Sequence, residues 1–449
     1  MKRIPVCLTA IVALGLALAL GTNPLSADES KGRYRVVRMD GKQFEGNLTE
    51  TADAYVIEVS KGINVTIRKN QVKELTHLAG DAPAVEGAAP VDNRLSDEEV
   101  ARILGSDDNF AIVEELAESS GNAMAPSPVN EESIAQMTQL AGDKAETLET
   151  AHFLLVYTSS RQMAQELGAR LESIYAWNVR LMDKLGLPAH RPDHKLEMFF
   201  FGTHKEFERY AAYDLGMSGT GGILGFYMPP TNRSAFFDMS TFPPYANALR
   251  YAEDKDVPLQ RRREVRNKVL RMVAYQNLEV IQHEAAHHIH ANIGMFNRRQ
   301  NSEDRWLTEG MAVQFEVPPT RFGASLGAIN HERLRQLLQI WKPLLEADPP
   351  AMDFWRAFLW QGTMQYSGAH YSLGWAVVYY LRSKHEAGFA RYMLTVSQWE
   401  DDVHIDNTER QKLWEDSFGE LDEKWIKDFA KFILSIQLRT DELPPDDLR

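Results

Sequence analysis

The chain has 449 residues, more than one hydrophobic core usually serves, so two or three structural units are expected. Its 44% hydrophobic and 25% charged residues are ordinary for a globular protein and exclude a wholly disordered chain or a membrane bundle. A formal net charge of -14 repels phosphate backbones and argues against a nucleic-acid partner.

Residues 1–27 have the layout of an export signal. Met1-Lys2-Arg3 is a basic start, Ile11 to Leu20 is apolar with only Gly15 interrupting, and Leu25-Ser26-Ala27 ends in a small residue suited to cleavage. The apolar run is short for a bilayer span, and no second run of spanning length follows. The expectation is therefore an exported protein (periplasmic, cell-envelope or extracellular) with no stable membrane span after cleavage. Cys7, the only cysteine, lies inside the signal, so the mature chain has no disulfide, thiol nucleophile or cysteine metal ligand. Export without disulfides leans towards a bacterial envelope.

Residues 28–77 alternate with the period of two that strands require. Tyr34 to Met39, Gln43 to Leu48, Tyr55 to Val59 and Ile63 to Ile67 are punctuated by Asp40-Gly41 and Lys61-Gly62, both turn formers. About five short strands in so few residues predict a small all-β barrel. Its hairpin pattern resembles the SH3-like and Sm-like barrels, whose functions are too varied to name a partner. Residues 78–149 read as a linker and helical spacer. His77 to Asn93 is rich in Ala, Pro and Gly, and two helical patches follow, Asp97 to Glu118 and Glu131 to Leu148.

Residues 150–440 carry a different pattern. Strands are expected at His152 to Thr158, Lys195 to Phe201 and Ser234 to Asp238, with helices at Ser160 to Leu185 and His204 to Tyr210. From Arg262 to about Ile436 the periodicity is almost wholly helical. A mixed sheet followed by helices is an α+β layout. The glycines of Gly219-Thr220-Gly221-Gly222 lack the Lys-Ser/Thr ending of a phosphate loop and fit a turn beside a cleft better.

The chemistry concentrates in the helical half. His283-Glu284-Ala285-Ala286-His287 lies in a run with no Pro or Gly until Gly294. Residues four apart share a helix face, so the two imidazoles can reach one cation. Glu284 is rotated about 100° from His283, which sets it beside the metal as a general base towards water. A five-residue pattern arises by chance in roughly a few per cent of chains with this many histidines, so a third ligand matters. Glu309, 22 residues after His287 in Trp306-Leu307-Thr308-Glu309-Gly310-Met311-Ala312, supplies it and leaves the fourth position open. A third histidine six residues beyond the second is excluded, because that position is Ile293. His288 and His290 are then flanking residues or support the ligands from behind.

These two segments resemble the gluzincin metallopeptidases, the group of thermolysin and aminopeptidase N, and most closely the peptidase MA-like branch with its W-L-x-E-G-x-A segment. The resemblance covers residues 150 to about 440. It implies a zincin-like domain, one Zn²⁺ per chain on His283, His287 and Glu309, and Glu-assisted hydrolysis of peptide bonds in a peptide or protein substrate. Tyr371-Ser372-Leu373-Gly374-Trp375-Ala376 is similar to the Y-x-x-G-[FW]-A helix of zinc aminopeptidases, which makes Tyr371 the oxyanion donor, with His370 second. Gly374 would let that helix approach a neighbour closely.

Two departures limit the carry-over. The acidic G-x-M-E-N edge strand of aminopeptidases is replaced by Gly225-Phe226-Tyr227-Met228-Pro229, which argues against aminopeptidase action. The histidine-orienting Asp of thermolysin-like enzymes is replaced by Val313, leaving Glu279, Asp304 or Glu316 to do its work. The rival readings are a zincin fold that binds without turnover and an envelope structural protein whose barrel is the working part.

Overall fold

The computed structural model describes residues 9–12, 33–39, 43–50, 54–60, 63–77, 121–216, 222–297, 304–317, 328–361, 366–400 and 404–439. The chain divides into two compact units, one of Leu18–Arg94 and one of Met1–Ala17 with Leu95–Arg449. Cys7, the cleavage position near Ala27, the Asp97 to Glu118 patch and Gly219 to Gly221 lie outside the described residues. Of the segment read as an export signal, Thr9–Val12 is a strand of the larger unit, β1.

The smaller unit is all β. Strands β2 (Arg33–Arg38), β3 (Gln43–Glu50), β4 (Ala54–Ser60) and β5 (Ile63–Arg68) form an antiparallel meander. A short turn of 3-10 helix, Lys69–Gln71, then returns β6 (Val72–His77) to pair with β2. The sheet order is β5-β4-β3-β2-β6. Among the side chains described, Val36, Leu48, Ile57 and Ile67 are buried aliphatic residues, one from each meander strand, with Tyr34, Tyr55 and Val72 packed against them. Each such side chain contributes about 1.5–3 kcal/mol on burial.

The larger unit continues with α1 (Glu131–Ala141), β7 (Glu146–Glu149), β8 (Phe153–Tyr157), α2 (Arg161–Lys184), β9 (Leu196–Phe201) and α3 (His204–Leu215). Then come β10 (Ile223–Met228), β11 (Arg233–Phe237), α4 (Pro243–Glu253) and the long α5 (Leu259–Ile293). Helices α6 (Arg305–Val313), α7 (His331–Ile340), α8 (Lys342–Leu345), α9 (Met352–Trp360), α10 (Gly368–Lys384), α11 (Glu386–Ser397), α12 (Asn407–Phe418) and α13 (Glu423–Leu434) follow. The fold is α+β, as the sequence predicts. Ser160 and Thr203 cap α2 and α3 by accepting from the backbone N–H of Met163 and Glu206.

The sheet runs β1-β10-β11-β9-β8-β7. Strands β8, β9 and β11 are parallel neighbours, with β10 antiparallel beside β11. Every residue of β8 and β10 is buried, which is why both read as unbroken apolar runs.

One boundary moves. Helix α1 and strand β7, assigned by sequence to the spacer, belong to the larger unit: Leu148 in β7 faces Leu155 in β8. Strand β7 escapes sequence reading because it is a short edge strand of Glu-Thr-Leu-Glu with no buried residue. Among the described residues, no helix is long and apolar enough to cross a membrane.

Candidate metal centre

Helix α5 changes character along its length. Its first turns carry Arg261, Arg262, Arg263 and Arg266, whereas every residue from Val280 to His290 is buried. Polar groups in that stretch must find partners or a ligand, because burial without them costs free energy. Gly294, at φ 90°, ends the helix in the left-handed region that favours glycine.

His283 and His287, one turn apart, face Glu309 of α6. Their Nε2 atoms are 3.1 Å apart, and Glu309 Oε2 lies 3.2 Å from His283 Nε2 and 3.1 Å from His287 Nε2. All three side chains are fully buried. The donor set, two imidazoles and one carboxylate with ligand atoms within 4.8 Å of each other, can hold one metal ion. A near-equilateral triangle with edges of 3.1–3.2 Å is the right size for bonds of about 2.0–2.2 Å from each corner to a cation above its plane. The local field also calls for positive charge. Burial alone lowers the pKa of His283, but its contacts with Glu309 and Glu316 push it up to about 10. Burial would raise Glu309, yet the two histidines hold it below the ordinary carboxylate range.

The triangle depends on two close helix approaches. A Cβ on Gly310 would sit 2.5 Å from the Gly374 carbonyl oxygen, and one on Gly374 would sit 3.0 Å from the Trp306 carbonyl oxygen. Helices α6 and α10 therefore cross glycine on glycine, which brings Glu309 and Tyr371 to the same place. Gly374 has the packing role that its place in the sequence predicts.

Of the three carboxylates considered for orienting a histidine, Glu316 has the work. His283 Nδ1 donates to Glu316 Oε1 at 2.9 Å, which leaves Nε2 free to face the ligand position. Glu316 is gripped in turn by Arg333, Nε to Oε2 at 2.8 Å and Nη2 to Oε1 at 2.7 Å, and by Asn330 Nδ2 at 3.0 Å. Glu279 pairs with the same Arg333 at 3.0 Å. Asp304 instead binds Arg410 at 2.7 Å and ties the start of α6 to α12. Gln282 donates to the carbonyls of Phe315 and Val317, holding the Glu316 segment against α5.

Glu284 points to the sheet side. Its Oε2 accepts from the backbone N–H of Tyr227 in β10 at 2.9 Å. Strand β10 comes this close because a Cβ on Gly225 would meet Val280 Cγ1 at 2.6 Å and Phe236 Cδ1 at 3.0 Å. His288 stacks on the Tyr227 ring at 4.8 Å and contacts Ser234 Oγ at 3.0 Å through Nδ1. His290 packs against Phe296 and Phe315, and burial pushes its pKa well down. Both flanking histidines thus serve packing around the ligand helix.

Tyr371 is 7% exposed, and its ring centroid lies 5.5 Å from that of His283. Burial and the Glu309 charge raise its pKa well above that of an ordinary phenol, so it keeps its proton and can donate it in a hydrogen bond. His370 faces elsewhere: its Nδ1 accepts from the Ser367 N–H at 2.9 Å, closing the capping box of α10. Tyr371, of the two candidates, is the one beside the ligand triangle.

Sequence reasoning missed Arg305, Arg333, Asn330 and Tyr366. Arg305 Nη2 lies 3.5 Å from Glu309 Oε1, and its guanidinium stands 5.1 Å over the Tyr366 ring. Arg305 had a readable signal, since it precedes Glu309 by one helical turn. Arg333 had none, because 17 residues separate it from Glu316.

Residues 277–400 match a family model described as a protein of unknown function (DUF1570), to which this stretch is similar. The matched span includes His283, Glu284, His287, Glu309, Glu316, Arg333 and Tyr371. No curated protein matches the chain.

Proposed function

We propose that the chain is an exported zinc-dependent hydrolase of peptide (amide) bonds. The observation that carries this reading is the buried convergence of His283, His287 and Glu309, with Glu284 alongside and Tyr371 facing His283. Nitrogen donors with one carboxylate and no thiolate suit zinc, and three protein ligands leave room for water or substrate. When bound, the cation supplies Lewis acidity and lowers the pKa of water.

The remaining work falls to the chain itself. Glu284 takes a proton from the attacking water and returns it to the departing nitrogen. The Tyr227 N–H holds the Glu284 carboxylate in position between those transfers. The Tyr371 hydroxyl, kept protonated, donates to the oxygen that gains charge when the carbonyl is attacked. Arg333 and Glu316 fix the His283 ring so that Nε2 keeps its direction. The resemblance to gluzincins and the basic, then apolar, start of the chain support peptide substrates and export respectively.

A direct test incubates the purified protein, with zinc and then with a chelator, against a mixed peptide library read by mass spectrometry. Zinc-dependent cleavage is expected. Glu284→Gln should keep the metal and lose roughly 10²–10⁴-fold in turnover, since shape is preserved and the base removed. Full activity in that variant, or no cleavage by the metal-loaded parent, overturns the assignment.

A further inference from the structure

Glu309 presents its two carboxylate oxygens to different surroundings. Oε2 faces both histidines at 3.1–3.2 Å. Oε1 is buried with no hydrogen-bond partner, and the cation beside it is Arg305, with Nη2 at 3.5 Å. Arg305 sits one turn before Glu309 on α6, and its side chain is 21% exposed. Arg305, whose guanidinium stands over the Tyr366 ring, thus faces Oε1, whereas both histidines face Oε2.

We propose that Arg305 restricts Glu309 to a single ligating oxygen and so keeps one position at the metal open. The inference rests on the metal reading above and extends it to the control of coordination number. A carboxylate left to itself can rock about its Cγ–Cδ bond until both oxygens reach a cation. A fixed positive charge beside Oε1 opposes that rotation, because moving Oε1 towards the metal separates it from the guanidinium in a buried, poorly screened setting. A hydrolytic site with water in its fourth position needs a fifth position when substrate joins, and a second Glu309 oxygen would fill that fifth position. Arg305 is therefore a positioning residue, acting through Glu309 and not on the substrate.

The test replaces the metal with cobalt(II), whose visible absorption is several-fold stronger when four-coordinate than when five-coordinate. The parent protein, loaded with one equivalent, should give the intense four-coordinate band. In Arg305→Gln the band intensity should fall by about twofold or more as Glu309 turns bidentate, with binding stoichiometry retained. Arg305→Met keeps an unbranched apolar side chain of similar length and should show the same drop, which covers poor folding of the first variant. Arg305→Lys restores the charge and should restore the band. In zinc-loaded Arg305→Gln, kcat should fall roughly 10–100-fold with a smaller change in KM. A neutral variant that binds cobalt with the parent's spectrum overturns the inference and leaves the metal reading intact. A parent protein that takes up no cobalt overturns both.

Discussion

Among its described residues the larger unit buries two histidine–glutamate clusters, built on different plans. Near the start of β8, Glu172 of α2 accepts from His152 at both its backbone N–H and its Nδ1, at 2.7 and 2.6 Å, and from Thr150 Oγ1 at 2.5 Å. The His152 ring lies flat on Tyr175, with centroids 3.9 Å apart. Both carboxylate oxygens are used, and the donors come from one short stretch of chain. At α5 and α6 the polar atoms converge instead. Three ligand atoms crowd within 3.2 Å, while His287 Nδ1 and Glu309 Oε1 have no hydrogen-bond partner. A buried His–Glu contact is thus no sign of a site by itself. The first cluster satisfies both oxygens of its carboxylate, leaving only His152 Nε2 without a partner, and holds a strand to a helix; the second converges its ligand atoms so that they could hold a cation.

The comparison breaks most easily at the ligands. His287→Ala should abolish stoichiometric metal after dialysis, as read by elemental analysis, because two ligands cannot replace three. Retention of one equivalent of zinc in that variant removes the centre altogether. Next in size is Tyr371→Phe, for which a loss of roughly 10²–10³-fold in turnover is expected with metal content unchanged. Normal turnover there would return Tyr371 to the core aromatics that surround it. Glu316→Gln probes the layer behind the ligands. Its carboxamide cannot form the paired, charge-assisted contacts that Arg333 makes with the carboxylate. Zinc affinity should weaken roughly 10–100-fold by competition with a chromophoric chelator. Unchanged affinity would mean that Glu316 serves only the fold.

What the sequence displays and what it hides follow from chain distance. His283, Glu284 and His287 share one helical turn, and Glu309 stands in a local segment, so spacing alone brings them to notice. The strands β8, β9 and β11 and the helices α2, α5 and α10 are long or strongly apolar, and their existence is legible for the same reason. Glu316 could be narrowed only to one of three carboxylates, because choosing requires knowing that Gln282 pins its segment to α5. Arg333 of α7 and Asn330, the residue that caps it, reach Glu316 from another segment, and no short-range pattern announces a contact formed by packing. Strand β7 hides because an exposed edge carries no apolar alternation. Tyr227 contributes a backbone N–H, which every residue but proline has, so its contact with Glu284 leaves no mark in side-chain identity.

The smallest effect expected at the metal belongs to the other cluster, and it carries the comparison's control. Glu172→Gln should leave metal content and turnover unchanged while lowering stability by about 1–3 kcal/mol, the usual cost of weakening a buried charged hydrogen-bond set. Its signature is in the pH dependence. Burial alone would raise the Glu172 pKa, but the contacts with His152 and then Thr150 outweigh it and hold the carboxyl below its ordinary value. A carboxyl depressed on folding binds its proton more readily in the unfolded chain. Its stabilising contribution is therefore complete above the unfolded pKa of about 4.3 and is lost as pH falls through the lower folded value. Thermal unfolding between neutral pH and pH 3 should show that loss in the parent protein and a flatter profile in Glu172→Gln, since the amide does not titrate. The same pair of profiles measured with and without zinc separates the clusters. The metal should raise the melting temperature of both proteins equally at neutral pH, because ligand binding adds to stability without passing through Glu172. A variant that lost metal along with stability would show that the two clusters are coupled, and the contrast between a carboxylate satisfied by its own neighbours and one facing a cation site would fail.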